Sequence, residues 1–123
     1  MTIESINFPS SFTKEQLDYI TNYVAQQARS VFADSLRDVI LYGSYARGDH
    51  QEWSDVDIMV LADADEPTCR ALEKKLRKNL EELDYHMNGL LSPIVTPNSR
   101  FEYFGNYYPF YANVRKDGVR CVC

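Results

Sequence analysis

Residues 39–61 read VILYGSYARGDHQEWSDVDIMVL, and the rest of the architecture can be built outward from this stretch. The run from Asp38 to Tyr42 is mainly apolar and β-branched and ends at Gly43, which predicts a short buried strand. The run from Asp55 to Leu61 predicts a second strand, with Val56, Ile58 and Val60 on one face and Asp55, Asp57 and Met59 on the other. Residues 44–48 are predicted to form a short helix or a turn.

The segment that follows the first strand has the features of a phosphate-binding loop. A glycine at the end of a buried strand lets the backbone approach a ligand closely. A turn or helix that starts there points free N–H groups outward, and such groups favour phosphate oxygens. Ser44 adds a hydroxyl donor, and Arg47 is placed to add a charged guanidinium group whose paired N–H groups can bind the same phosphates. We therefore predict that Gly43, Ser44 and Arg47 bind the phosphates of a nucleotide.

Two carboxylates lie close together at the second strand. Asp55 and Asp57 are two residues apart, so on a strand both side chains project from one face. Two like charges held together repel each other unless a cation lies between them. Magnesium takes oxygen ligands and is commonly held by one or two carboxylates together with substrate phosphates. Asp55 and Asp57 are therefore predicted to be metal ligands beside the phosphate loop.

Together these residues resemble the signature of the DNA polymerase beta-like nucleotidyltransferase superfamily. The fuller pattern, Gly-Ser-x-Ala-Arg-Gly followed by Ser-Asp-x-Asp, is similar to its minimal nucleotidyltransferases, which are often encoded beside a HEPN-domain toxin. Between Val39 and Leu61, the positions that match this motif are Gly43, Ser44, Ala46, Arg47, Gly48, Asp55 and Asp57. A looser similarity extends over residues 109–119.

The resemblance implies an enzyme that transfers AMP from Mg-ATP to a hydroxyl acceptor. Asp55 and Asp57 would be the catalytic, magnesium-binding residues, while Gly43, Ser44 and Arg47 would bind ATP. The implied acceptor is a tyrosine of a HEPN toxin, which would make this protein the antitoxin.

One position departs from the family pattern. Catalytic members generally carry a third carboxylate on the next strand, where it helps to deprotonate the acceptor hydroxyl. Here that predicted strand lies within residues 89–95, GLLSPIV, which contain no acid. The alternative function is therefore a nucleotidyltransferase-fold module, catalytically weak or inactive, that neutralises a partner protein by binding.

The flanking sequence predicts an α/β (α+β) domain with a small mixed sheet covered by helices. Apolar residues recur every three to four positions over 13–33 and again over 69–83, which predicts two amphipathic helices. Thr13 and Gln16 fit a capping box, and Pro67 suits the first turn of the second helix. Pro93 favours an edge position for the third strand, and residues 119–123 are expected to add a last short strand.

Residues 97–108 and 109–116 are each predicted to form a short helix. The aromatic residues between Phe101 and Tyr111 are expected mainly in the core, with a partner surface as the alternative.

The length and charge of the chain limit the number of domains and the kinds of partner that we expect. The chain has 123 residues, the size of one domain, and we assign residues 1–123 to a single nucleotidyltransferase domain. Its net charge of −5 argues against direct nucleic-acid binding. We find no apolar run of membrane-spanning length and no secretory signal, and we expect a cytoplasmic protein. The three cysteines, Cys69, Cys121 and Cys123, are expected to be free thiols.

Overall fold

The computed structural model describes residues 1–121. Its strands are β1 (Leu36–Tyr42), β2 (Val56–Ala62), β3 (Leu91–Pro97) and β4 (Val119–Arg120). Its α-helices are α1 (Lys14–Phe32), α2 (Ser44–Arg47), α3 (Glu66–Asn79), α4 (Glu81–His86), α5 (Asn98–Phe104) and α6 (Pro109–Asp117). Two single-turn 3₁₀ helices, Ile3–Ile6 and Ala33–Ser35, flank α1.

The four strands form one mixed sheet in the order β3-β2-β1-β4, which confirms the predicted fold class. β1 and β2 are antiparallel and β2 and β3 are parallel, while β4 is antiparallel to β1. The sequence did not define this strand order. The parallel pair is possible because α3 and α4 carry the chain back across the sheet before β3 begins.

The helix α1 matches its prediction closely. The side chain of Thr13 accepts a hydrogen bond from the Gln16 backbone N–H at 3.1 Å, and the Gln16 side chain accepts one from the Thr13 N–H at 3.0 Å. This reciprocal capping box satisfies two N–H groups that the helix itself leaves unpaired. The predicted apolar stripe is buried except at Val31, which is only partly buried: Leu17, Ile20, Val24 and Ala28.

The apolar stripe over residues 69–83 belongs to two consecutive helices, α3 and α4, joined at Leu80. Pro67 lies in the first turn of α3, and the Asp65 side chain caps that helix by accepting from the Thr68 N–H at 2.9 Å. After α4, β3 runs along an edge of the sheet, as Pro93 predicted. An edge strand tolerates proline because one side of it needs no partner for its N–H groups.

Helices cover both faces of the sheet. Val56, Ile58 and Val60 of β2 point into the larger core, which α1, α3 and α4 complete. Met59 and Leu61 point to the other face, into a smaller cluster with Phe101 of α5 and Val114 of α6. The faces predicted for Val56, Ile58 and Val60 and for Met59 are therefore confirmed, and the strand is buried on both sides.

The core placement expected for the aromatic segment is wrong for most of its residues. Phe101 is buried, but large aromatic side chains around it are exposed: Tyr103, Tyr107, Tyr108 and Phe110. The short helices α5 and α6 present only one face each to the sheet, so aromatic residues on the other face and in the turn between them have no layer to pack against.

The carboxyl-terminal prediction is confirmed where the structure describes it. β4 pairs with β1 through Arg120 opposite Ile40 and Val119 opposite Leu41. Cys69 is a buried free thiol, and Cys121 is a half-buried one. The part of the predicted strand at residues 122–123, including the Cys123 thiol, lies outside the described residues. Within residues 1–121, none of the helices is both long and apolar enough to span a bilayer.

Candidate active site

The predicted phosphate loop lies at the end of β1, where the chain turns into α2. Gly43 has φ 76° and ψ −155°, a backbone conformation that is open almost exclusively to glycine. Its carbonyl oxygen accepts hydrogen bonds from the N–H groups of Ala46 and Arg47, both at 3.1 Å. The N–H groups of Ser44 and Tyr45 come before the first hydrogen-bonded residue of α2, so they have no partner within the helix. The predicted helix or turn over residues 44–48 is therefore a single helical turn.

The predicted metal ligands lie at the start of β2, next to that loop. Because β1 and β2 are antiparallel, the last residue of β1, Tyr42, lies directly opposite Asp57. Asp55 immediately precedes the strand and is exposed, whereas Asp57 is half-buried. The antiparallel pairing therefore brings Gly43 and Asp57 together although 13 residues separate them in the chain.

Asp57 is held in an unfavourable electrostatic environment. Burial raises the pKa of its carboxyl group, the negative charge of Asp55 raises it further, and Arg47 partly offsets both effects. The mutual repulsion of Asp55 and Asp57 that their spacing predicts is therefore present in the fold. A cation between the two carboxylates would remove this penalty.

The loop between the phosphate-binding and acidic residues is tied to the amino-terminal segment. The Trp53 N–H donates to the Ser10 carbonyl at 2.7 Å, and the Tyr45 hydroxyl accepts from the Phe12 N–H at 3.2 Å. Within the loop, the Ser54 hydroxyl accepts from the Gln51 N–H at 2.9 Å, which closes the turn just before Asp55. These hydrogen bonds hold the loop that leads into Asp55 and the start of β2 in one position.

The loop opens into a pocket of about 350 Å³. Four of the predicted residues line it, namely Gly43, Ser44, Arg47 and Asp57. The structure adds four residues that the sequence did not indicate: Tyr42, Phe110, Asn113 and Val114. The last three are spaced i, i+3 and i+4 on α6, so they share one helix face. That spacing was visible in the sequence, but nothing local indicated that α6 packs beside the end of β1.

Tyr42 also lines this pocket. Burial raises the pKa of its hydroxyl to about 12, and the charge of Asp57 contributes to the increase. Tyr42 therefore remains a neutral phenol at physiological pH. Its ring meets that of Phe110 edge to face, with 5.7 Å between the centroids and 84° between the planes.

The donor set fits a magnesium ion that is shared with a substrate. Asp55 and Asp57 supply carboxylate oxygens, which magnesium prefers, and phosphates are its usual further ligands. Among residues 1–121 no group of three or more His, Cys, Asp or Glu residues is arranged to hold a metal. Two carboxylates leave most positions around a magnesium ion to water and to substrate phosphates.

The neighbouring strand supplies no third acid. In the parallel register Ser92 of β3 lies beside Asp57, and Ile94 lies beside Met59. With Thr96, these are the residues of β3 on the face that carries Asp57, because side chains alternate along a strand. The departure noted in the sequence thus falls directly beside the acidic pair.

Comparisons with known proteins agree with the motif. Residues 24–112 match the family model described as "Nucleotidyltransferase domain". Two proteins of Methanocaldococcus jannaschii are similar in sequence, "Putative protein adenylyltransferase MJ1305" and "Putative protein adenylyltransferase MJ0141". The first is 35% identical over 82 residues, or 67% of this chain and 56% of its own length. The second is 39% identical over 66 residues, or 54% of this chain and 65% of its own length. The matches therefore span less than two thirds of either relative.

A solved structure shares the fold. It is a crystal structure described as a toxin-antitoxin with AMP-PNP, and the superposition gives a TM-score of 0.50 with 21% sequence identity. The match covers 83% of this chain and 72% of that chain. The predicted nucleotidyltransferase fold is thereby confirmed.

Proposed function

Because the chain belongs to the nucleotidyltransferase domain family, we propose that it transfers AMP from Mg-ATP to a hydroxyl group of a partner protein. The observation that carries the proposal is the pocket in which Gly43, Ser44 and Arg47 face Asp57. It combines donors suited to phosphates with a carboxylate suited to a phosphate-bound cation. The names of the two sequence relatives, protein adenylyltransferases, support both the transferred group and a protein acceptor.

The chain's own residues would act mainly by positioning and by stabilising charge. The Ser44 hydroxyl and the free N–H groups beside it would hold the β- and γ-phosphates. Arg47 would exchange its exposed contact with Asp49, at 3.2 Å, for the departing pyrophosphate. Asp55 and Asp57 would hold magnesium, which supplies charge stabilisation between the attacking and leaving oxygens.

In the transfer step the acceptor oxygen attacks the α-phosphorus of ATP. A new P–O bond forms, the bond between the α-phosphorus and the α,β-bridging oxygen breaks, and pyrophosphate leaves with that electron pair. The hydroxyl proton is lost to solvent or to a base on the acceptor, since β3 carries no carboxylate on the face of Asp57.

We further propose that the acceptor is a tyrosine of a HEPN-type toxin and that this chain acts as its antitoxin. The resemblance of the motif to minimal nucleotidyltransferases supports this partner. The fold neighbour is described as a toxin–antitoxin with AMP-PNP, which agrees with both a toxin partner and an adenine nucleotide. Because the reaction consumes ATP, we place the protein in the cytoplasm.

The second candidate is a binding module that silences its partner without chemistry. The observation that favours it is the trio Ser92, Ile94 and Thr96, none of them acidic, on the face of β3 that adjoins Asp57. In this function the pocket would still bind a nucleotide, but it would transfer nothing.

Incubation with ATP labelled at the α-phosphate tests both functions. The protein is incubated with magnesium and the product of a neighbouring HEPN-type gene, and the label on each protein is measured. We expect the label on the partner and its loss in Asp55→Ala and Asp57→Ala. Asp63→Asn is the matched control, because Asp63 lies just past the other end of β2 and pairs with Arg37.

The outcomes separate the two candidates. If the wild-type protein labels nothing yet binds and silences the partner, the binding module is correct. If both alanine variants label the partner as well as the wild type does, the acidic pair is not the site.

A further inference from the structure

The pocket extends beyond the residues that the proposed phosphate contacts use. The predicted phosphate loop and Asp57 line one part of it, and one face of α6 lines another. That face presents an aromatic ring, an amide and a small apolar side chain: Phe110, Asn113 and Val114. The side chains of Phe110 and Val114 offer no polar atom to a phosphate or a metal ion, so the α6 side fits a less polar part of the ligand.

The apolar part of this wall has the form of a stacking site. Val114 lines the pocket and is buried. Phe110 leaves about half of its side chain exposed, and its edge-to-face contact with Tyr42 fixes the ring at the pocket wall. A flat aromatic ligand placed there would cover the remaining exposed ring, and stacking of this kind suits any nucleobase.

Asn113 adds selectivity to the same wall. Its side chain is exposed and makes no hydrogen bond to any residue within 1–121, so the amide is available to a ligand. An amide offers donors on its nitrogen and an acceptor on its oxygen. Adenine presents the complementary pair, an N6 amino donor beside the N7 acceptor, whereas guanine presents two acceptors at that edge.

We propose that the α6 wall is a nucleobase site in which Phe110 stacks on the base and Asn113 selects adenine. The proposal rests on the proposed function, because a triphosphate at Gly43 and Ser44 directs the rest of the nucleotide along the pocket. It assigns the base preference of the protein to a side chain that lies outside the glycine–serine and aspartate motif, 70 residues after Gly43 in the chain.

Binding measurements without turnover test this assignment. Calorimetry with magnesium compares three ligands: a non-hydrolysable ATP analogue, its guanine counterpart and inorganic tripolyphosphate. The wild type should prefer the adenine analogue. Asn113→Ala should lower the affinity for the adenine analogue about 5- to 150-fold. The affinity for the guanine analogue should hardly change, because the bidentate contact is made only with adenine.

Phe110→Ala should lower the affinity for both nucleotide analogues by a similar factor, about 5- to 150-fold, and leave the affinity for tripolyphosphate unchanged. Phe110→Leu keeps apolar volume against Tyr42, so it should fold normally and still lose the stacking. Tyr107→Ala is the matched control, because Tyr107 is another exposed aromatic residue of the same region and does not line the pocket. It should bind all three ligands as the wild type does.

The results distinguish this inference from the function on which it rests. If the Phe110 and Asn113 variants bind the ATP analogue normally but label the partner poorly, α6 contacts the acceptor, and the base site is wrong while the transferase function stands. If the wild-type protein binds neither the analogues nor tripolyphosphate, the nucleotide function and the base site both fail.

Discussion

The backbone of Gly43 lies directly against the carboxylate of Asp57: a Cβ atom at position 43 would overlap Asp57 Oδ2. This contact joins the last residue before α2 to a carboxylate on the neighbouring strand. Position 43 therefore requires a glycine for two reasons: its backbone conformation, and the absence of a Cβ atom where the Asp57 carboxylate lies. Gly43 and Asp57 therefore form one packed unit rather than parts of two separate motifs.

Gly43→Ala should displace Asp57 and remove nucleotide binding. The strained backbone alone costs about 1–3 kcal/mol, and the overlap with the carboxylate adds to it. Gly48→Ala is the matched control, because Gly48 also has a positive φ of 83° but no atom lies within 4 Å of its Cβ position. It should cost about 1–2 kcal/mol and leave magnesium-dependent ATP binding intact. Thermal melts and calorimetry of both variants check this, and equal ATP affinity in the two would contradict it.

Asp57→Asn should stabilise the protein when no metal is present. Burial and the charge of Asp55 raise the pKa of Asp57 in the folded state, so the fold favours the protonated carboxyl group. The free energy of unfolding of the wild type should therefore fall as the pH rises from below the unfolded-state pKa, about 3.9, through the raised folded-state pKa. The amide group of an asparagine does not titrate, so that contribution disappears in the variant.

The advantage of Asp57→Asn should be absent near pH 3 and fully present at pH 7. Urea unfolding in the presence of a chelator at both pH values measures it, and Asp63→Asn serves as the control. Because hydrogen bonding to Arg37 lowers the pKa of Asp63, its replacement should act in the opposite direction. A loss of stability in Asp57→Asn at pH 7 would mean that the carboxylate stabilises the fold through a contact of its own.

Local sequence chemistry was sufficient for the strands and for the start of α1, but not for the break at Leu80 that divides the second predicted helix into α3 and α4. Of the five predicted site residues, four line the pocket and Asp55 does not. Thr13 and Gln16 identify the start of α1, and the spacing of Gly43, Asp55 and Asp57 indicates a loop followed by a strand. The sequence did not predict the placement of α6, because that placement depends on contacts between segments that are distant in the chain. The side of the sheet that α6 covers depends on packing against Ile40 and Met59, so the approach of Phe110 and Asn113 to Gly43 could not be inferred.

The same limit explains the aromatic segment. Residue type alone placed Tyr103, Tyr107 and Tyr108 in the core, because tyrosine buries a large apolar area. Their exposure follows from the number of layers in the fold: the sheet face that carries Met59 is covered by α5 and α6, and no described element covers those helices in turn. A single sequence carries no direct signal for that layer count.

Arg47→Ala should weaken magnesium-dependent ATP binding about 10- to 150-fold, the value of a hydrogen bond to a charged group. In the free protein Arg47 contacts Asp49 through exposed side chains, and a surface pair of this kind contributes little to stability. The melting temperature should therefore hardly change. Arg47→Lys should recover only part of the affinity, because an ammonium group lacks the planar pair of donors. Arg37→Ala, which removes an exposed arginine outside the pocket, is the control in the same calorimetric titration.

Ser92→Asp should raise the rate of AMP transfer if the protein is an enzyme. Ser92 lies beside Asp57 in the parallel register of β2 and β3, so an aspartate there would add a carboxylate next to the acidic pair. A positioned general base is worth about 10²–10⁴-fold in rate, and an imperfectly placed one should give a smaller but measurable gain. The measurement is single-turnover labelling of the partner protein by ATP labelled at the α-phosphate.

Ser92→Asn is the matched control for that substitution, because it has the same shape without the negative charge. It should label the partner at the wild-type rate. Ser92→Asp should also lower the metal-free melting temperature, since it adds a third negative charge to Asp55 and Asp57. If Ser92→Asp destabilises the metal-free protein and binds ATP but labels no faster than Ser92→Asn, deprotonation of the acceptor does not limit the reaction. The absence of an acid on β3 would then no longer favour the binding module.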